Sequence, residues 1–211
     1  MEKLNRTRGP IPAATPGTVD RNRAAAAISE FLRALGFTPE REPDLADTAR
    51  LVADAYADQL LVGYREDAAE ILSGSVSAVR SDVVAVRDIQ TTIMCPHHLM
   101  PASGVVHVAY APGERVIGLG ALGRLVTCFA RRLTLQESLV RAIVDALCEH
   151  AGARGAACAA ELAPTCMTAR AEHCHAASAL SLATAGEMQP GRAFHAAAIA
   201  ALLRGREGAV R

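Results

Sequence analysis

The tetrapeptide Cys95-Pro96-His97-His98 places a thiol and an imidazole close enough in sequence to bind one metal ion from a single tight turn. Thiolate and imidazole together are typical zinc ligands. Cys166 is the best candidate for a third ligand. Three protein ligands would leave the fourth zinc position open for water, as in catalytic zinc sites. Two unrelated residues beside a turn are the alternative interpretation, because short motifs often match by chance.

The segments around these residues predict short strands and amphipathic helices. β-branched and apolar runs predict strands at 83–86, 89–94, 105–110, 116–119, 156–162 and 167–170. Helical spacing of apolar residues predicts helices at 22–35, 46–61, 122–133, 136–150 and 190–203. Helices, a run of strands, helices and strands again predict an α+β domain rather than alternating βαβ units.

Composition narrows the class of protein. The chain has 211 residues, and its 22 Lys plus Arg balance its 22 Asp plus Glu, which argues against a nucleic-acid partner. An apolar fraction of 51% with 3% aromatic residues predicts a core of Ala, Leu and Val. The sequence shows neither an apolar stretch of membrane-spanning length nor a secretory leader, so we expect a cytoplasmic protein without a membrane partner. In that location its six cysteines are expected to be thiols or metal ligands.

Five motifs follow one another along the chain: Cys95-Pro96-His97-His98-Leu99, Val116-Ile117-Gly118-Leu119, Phe129-Ala130-Arg131-Arg132-Leu133, Gln136-Glu137-Ser138-Leu139 and Cys166-Met167-Thr168-Ala169-Arg170. Together they resemble the GTP cyclohydrolase I family over about residues 44–203. The resemblance implies an α+β tunnelling fold, with an antiparallel sheet backed by two long helices and preceded by N-terminal helices. It also implies a homo-oligomeric ring, commonly a decamer. The expected organisation is a disordered arm at 1–20, N-terminal helices at 21–65 and the catalytic domain at 66–211.

The resemblance also assigns roles to individual residues. It implies that Cys95, His98 and Cys166 bind Zn²⁺ and that His97 protonates the imidazole ring of a purine. Glu137, with the backbone near Gln136, would bind the amino-substituted edge of guanine through two parallel hydrogen bonds. A favourable charge at a helix N-terminus is the alternative interpretation of Glu137. Arg124 and Arg170 would remain as cations for a phosphate.

The chain departs from the family pattern at Pro96, where the family has an acidic residue, and at four further positions. A catalytic His is replaced by Pro164, and three phosphate-binding cations are replaced by Leu51, Asp54 and Ala121. Compensation by Arg50 or other shifted residues is the alternative. The segment 172–175 adds His173 and His175, which are either part of a solvated loop or a replacement proton donor or extra metal ligands.

These departures shape the functional prediction. The main prediction is a zinc-dependent hydrolase that opens a C–N bond of a small guanine-like or related nitrogen heterocycle lacking a triphosphate. One alternative is a GTP cyclohydrolase I that makes dihydroneopterin triphosphate from GTP with a rebuilt phosphate pocket. The other is a non-catalytic member of the family that binds a purine or pterin.

Overall fold

The computed structural model describes residues 17–74, 76, 77, 82–170 and 176–203. The chain divides into two compact units, Met1–Gln59 and Leu60–Arg211. The expected arm at 1–20 lies outside the described residues apart from 17–20, and the expected boundary after residue 65 stays a prediction. Among the helices in the described ranges, none has the length and apolar character that crossing a membrane requires.

The first unit contains helices joined by ion pairs. Its elements are α1 (Arg21–Ala34), a 3₁₀ turn (Pro43–Leu45), α2 (Thr48–Ala55) and a π-helical segment (Tyr56–Leu60) that ends in the second unit. The Asp20 carboxylate begins α1 by accepting the backbone N–H of Arg23 at 2.9 Å. The Arg21 guanidinium donates to Asp54 at 3.2 Å and to Asp58 at 2.6 Å, which ties α1 to the second helical stretch.

The second unit is built around a four-stranded antiparallel sheet. Its elements are a 3₁₀ turn (Val62–Arg65), α3 (Ala68–Ser73), β1 (Val76–Ser77), β2 (Val84–Met94), β3 (Pro101–Ala111), β4 (Arg115–Val116), α4 (Leu119–Ala130), α5 (Gln136–His150), β5 (Gly155–Pro164), α6 (Thr165–Thr168), β6 (Ala179–Gly186) and α7 (His195–Leu203). The strand order is β2-β3-β5-β6, with every neighbouring pair antiparallel, and β1 pairs with β4 in a separate ribbon.

The main core lies between one face of the sheet and the two long helices α4 and α5. Apolar residues at helical spacing on both helices, among them Leu125, Leu139 and Leu147, are fully buried there. Burying each such side chain contributes about 1.5–3 kcal/mol. On the opposite face, Ala198 and Leu202 of α7 pack in a smaller cluster of sheet alanines. The predicted α+β tunnelling fold, with its antiparallel sheet and two backing helices, is confirmed, as is the aliphatic core.

Four of the predicted strands need correction. The segments 83–86 and 89–94 form one strand, interrupted by a bulge at which Asp88 adopts φ 59°. The strand expected at 116–119 stops at Val116, and α4 begins at Leu119 because Leu122 and Leu125 then face the core. The strand expected at 167–170 is wrong, since 165–168 is helical. The β3–β5 ladder ends near Pro101, which has no N–H to extend it.

Candidate functional site

The Cys95–His98 segment forms the turn between β2 and β3. Met94 pairs with Pro101 across the hairpin, and the turn is closed by two backbone hydrogen bonds. Cys95 N–H donates to Met100 O at 3.0 Å, and Leu99 N–H donates to Cys95 O at 2.9 Å. Leu99 adopts φ 52°, a left-handed conformation that is uncommon for a branched side chain. The tight turn therefore holds its side chains in a defined arrangement.

The rings of the two histidines of this turn lie in nearly perpendicular planes. Both side chains are exposed, and their rings are 6.4 Å apart between centroids at an interplanar angle of 86°. Cys95 is partly buried at the end of β2. Each imidazole is therefore accessible to a metal or a ligand from solvent.

Cys166 lies on α6, directly after β5. The register pairs Pro164 with Ala102, one residue from the start of β3, so α6 begins beside the 95–100 turn. Thr165 anchors this helix, because its hydroxyl donates to Pro101 O at 2.6 Å. The sheet thus brings Cys95, His98 and Cys166 to one of its ends, where the Cys166 thiol is partly buried.

The donor types fit zinc, although the side chains do not form a closed cluster. Cys95 and Cys166 are free thiols, and within the described residues no hydrogen bond or ion pair engages their side chains or that of His98. In that same part of the chain, no three His, Cys, Asp or Glu side chains are grouped tightly enough to hold a metal. Two thiols and an imidazole are nonetheless a donor set that zinc prefers. The three-ligand set therefore stays a prediction.

Glu137 lies in the first turn of α5 at the same end of the sheet. Its side chain is exposed, whereas the preceding Gln136 is buried. The Gln136 side chain donates to the carbonyl oxygens of Ala160 and Ala179, each at 2.8 Å. The Gln136 side chain therefore has no N–H left to donate to a ligand, while the Glu137 carboxylate is accessible.

The segment between α4 and α5 connects this helix to the Cys95 turn. Thr134 N–H donates to Met94 O at 3.1 Å, and Leu133 forms an isolated bridge with Met94. Because Cys95 follows Met94 directly, the segment that leads to Glu137 contacts the strand that ends at Cys95. The sequence motifs did not predict this connection, since a backbone contact depends on the fold and not on side-chain type.

Arg132 anchors the same segment from the other side. Its Nε donates to Gly63 O at 3.1 Å and to Cys128 O at 2.9 Å, and its guanidinium lies 4.9 Å from the centroid of the Phe129 ring. Burial raises the pKa of the neighbouring Cys128 thiol, so that thiol stays neutral. Arg132 is therefore a structural residue of the α4 C-terminus rather than a free cation.

The candidate phosphate cations are exposed. Arg124 projects from α4 and Arg170 follows α6, while Ala121 is partly buried in the first turn of α4. His173 and His175 lie outside the described residues, so their roles stay predictions. The proposed metal ligands and Glu137 accordingly lie at one end of the sheet. Arg124 lies within α4, and Arg170 follows the helix α6 that carries Cys166.

The replaced cation positions in the first unit lie on α2. Leu51 is exposed. Asp54 accepts from Arg21 at 3.2 Å and from Arg50 at 3.4 Å, and Arg50 also donates to Asp47 at 3.2 Å. The hydrogen bonds that Arg21 donates to the Asp58 and Asp54 carboxylates raise the pKa of Arg21. The Arg50 guanidinium is thus already paired with carboxylates.

Known proteins match most of this chain. The family model for GTP cyclohydrolase I matches residues 24–202. GTP cyclohydrolase 1 of Leifsonia xyli subsp. xyli is 41% identical over 170 residues, covering 80% of this chain and 88% of the relative. GTP cyclohydrolase 1 of Corynebacterium glutamicum is 41% identical over 153 residues, covering 72% and 77%. The crystal structure of the apo archaeosine synthase QueF-Like aligns with 50% of this chain and 95% of that chain, at a TM-score of 0.41 and 15% identity.

Proposed function

The chain belongs to the GTP cyclohydrolase I family, and from that premise we propose that it hydrolyses a C–N bond in the imidazole ring of a guanine nucleotide. The observation that supports this most strongly is the convergence at one end of the sheet. The turn with Cys95, His97 and His98, the helix with Cys166 and the helix start with Glu137 all lie there. A hydrolytic site needs this combination of ligand-binding and proton-transferring groups.

Zinc is the metal that suits the donor set of this site. Cys95, His98 and Cys166 would hold it through two thiolates and one imidazole. When bound by three protein ligands, zinc supplies hydroxide near neutral pH, since it lowers the pKa of a coordinated water. The partial burial of both thiols supports this assignment, because a metal site needs donors that are reachable and yet shielded from bulk water.

His97 and Glu137 are assigned to the substrate. Glu137 accepts hydrogen bonds from the ring N–H and the exocyclic amine of the base, and so holds the purine in one orientation. His97 donates a proton to an imidazole-ring nitrogen, which makes the adjacent carbon electrophilic. The oxygen of a water molecule then bonds to that carbon. One water proton returns to His97, and the other passes to the nitrogen that leaves as its bond to the carbon breaks, so the ring opens to a formylamino group. Hydrolysis of that group releases formate.

A smaller guanine-type substrate is the second candidate, because the chain lacks three of the family's phosphate-binding cations and one catalytic His. Leu51, Asp54 and Ala121 stand at the cation positions, and Pro164 stands at the His position. A triphosphate must have its charges paired when it leaves water, and arginine and lysine side chains serve this purpose. A nucleobase, nucleoside or monophosphate makes a smaller demand on Arg124 and Arg170.

One experiment tests both candidates. Zinc-loaded protein is supplied in parallel with GTP, GMP, guanosine and guanine, while formate release and the ultraviolet spectrum are followed. Ring opening of any of them, with loss of that activity in His97→Ala, supports the proposal. The ratio of kcat/KM for GTP and guanosine then decides which candidate is correct. Unchanged spectra and no formate with all four compounds would show that the proposal is wrong.

The assembly and location of the protein are part of the same proposal. The resemblance supports a homo-oligomeric ring of cytoplasmic subunits with the sites at subunit interfaces. Sedimentation of the purified protein measures the subunit number, and a monomer at micromolar concentration would contradict the ring.

A further inference from the structure

Gln136 is buried although it is the first residue of α5 and precedes an exposed binding candidate. Its side chain is 8% exposed. Nε2 donates to Ala160 O in β5 and to Ala179 O in β6, both at 2.8 Å. A side-chain amide nitrogen carries two hydrogens, so these two bonds use its full donor capacity. The side chain therefore bridges the start of α5 to two strands and has no donor left for a ligand.

The start of α5 depends on this bridge because no side chain caps the helix. The N-cap residue is Leu135, whose side chain cannot accept a hydrogen bond from the first turn. Ala160 lies in the middle of β5, and Ala179 is the first residue of β6, where it pairs with Leu162 in the half of β5 that leads to Cys166. The Gln136 amide thus fixes the first turn of α5 relative to the end of the sheet at which the proposed site lies.

We infer that Gln136 is a positioning residue whose side-chain amide holds the first turn of α5 on β5 and β6 and thereby aims the Glu137 carboxylate at the amino-substituted edge of the base. This inference rests on the proposed function, in which Glu137 binds that edge. Two parallel hydrogen bonds require both carboxylate oxygens to keep their place, and a displacement of about 1 Å breaks that geometry. Gln136 itself makes no contact with the base through its side chain.

The test compares ligands that differ only in the exocyclic amine. GTP and ITP carry the same ribose and triphosphate, so the ratio of their Kd values reports the contact made by Glu137. Equilibrium dialysis is carried out with zinc-loaded protein in the His97→Ala background, so that the nucleotide is bound without being consumed. The ratio is independent of the fraction of protein that is folded, because both ligands bind the same active molecules.

We expect the parent to bind GTP at least about tenfold more tightly than ITP, since a hydrogen bond to a charged group is lost with ITP. Glu137→Gln should reduce this preference to within about threefold of unity. Gln136→Met removes both donors with little change in size and should reduce it equally. Gln136→Asn, whose amide is one methylene shorter, should do the same. Gln189→Met, an exposed glutamine in the turn after β6, is the matched control and should keep the preference.

The outcomes separate this inference from the proposed function. If Glu137→Gln abolishes the preference and both Gln136 variants retain it, the positioning role is wrong and the proposed function stands. If the parent binds neither nucleotide, or Glu137→Gln leaves the preference intact, the role proposed for Glu137 is wrong and the inference is overturned with it. Amide hydrogen exchange gives a second readout. The positioning role also requires faster exchange in the first turn of α5 in Gln136→Met, and unchanged exchange there would contradict it.

Discussion

Replacing Gly63 by alanine should destabilise the second unit more than any ordinary surface substitution. A Cβ at this position would lie 2.1 Å from Cys128 O and 2.9 Å from Arg131 O, both of them backbone atoms at the end of α4. Ordinary van der Waals contact begins near 3.4 Å, so the 3₁₀ turn and the helix end must separate by about 1 Å. Because the obstructing atoms belong to the backbone, no rotamer change can relieve the contact.

The separation also weakens hydrogen bonds that hold the α4–α5 segment. Gly63 N–H donates to Arg131 O at 2.9 Å, and Arg132 Nε donates to Gly63 O at 3.1 Å. Overpacking costs about 1–3 kcal/mol. Hydrogen bonds that are lost or lengthened add about 1–3 kcal/mol. We therefore expect Gly63→Ala to lower the free energy of unfolding by about 2–6 kcal/mol, a large part of the 5–15 kcal/mol typical of a domain.

Denaturant unfolding measures this loss, and Gly123→Ala is the matched control. An alanine Cβ at position 123, inside α4, would meet nothing within 4 Å. Replacing a helix-interior glycine by alanine should raise stability by about 0.5–1 kcal/mol, so the two variants should move in opposite directions. All samples are compared at one protein concentration, because oligomer stability depends on it. A Gly63→Ala protein within about 0.5 kcal/mol of wild type would refute the reasoning.

Three further predictions concern the site. Cys166→Ala should lose most of the zinc that wild type holds, whereas the control Cys148→Ala on α5 should keep it. Elemental analysis measures the zinc, and retention of the metal by both variants would contradict the ligand set. His97→Ala should retain zinc and lose about 10²- to 10⁴-fold in kcat, and metal loss in this variant would instead make His97 a ligand. Ala121→Lys should lower the KM for GTP about threefold to tenfold without changing that for guanosine, because it adds one cation for a phosphate. Equal changes for GTP and guanosine would show that position 121 does not face the phosphates.

Sequence patterns predicted the long elements because each carries a strong periodic signal. α5 was expected at 136–150 and spans Gln136–His150, since apolar residues at helical spacing cover its whole length. β6 (Ala179–Gly186) was not predicted. Its buried face consists of small residues, so the alternation of apolar and polar side chains that marks a strand is weak. The strand became recognisable only from its hydrogen-bonded pairing with β5.

The residues of the candidate site were likewise predictable only where the signal lies within a short stretch of sequence. Cys95 and His98 were recognisable because their chemistry and spacing lie within one turn of the chain. The role of the Gln136 side chain could not be found in this way, since its partners, Ala160 and Ala179, are backbone carbonyls far away in sequence. Sequence patterns identify residues by side-chain chemistry, whereas backbone acceptors become known only when the register of the strands is known.

The neighbours of Asp54 in the structure change the interpretation of its negative charge. A carboxylate at this position would repel a phosphate if its charge were unpaired. The structure places it between Arg21 and Arg50, which donate to it at 3.2 and 3.4 Å. Much of its charge is therefore compensated, and the two arginines also donate to further carboxylates, Arg21 to Asp58 and Arg50 to Asp47. Restoring a lysine at position 54 would thus place a third cation beside two guanidiniums, and would remove the acceptor they share. A lysine at position 54 would therefore disturb an ion-pair network as well as add a charge, so the proposed lack of phosphate-binding cations is tested more cleanly by an added cation at position 121.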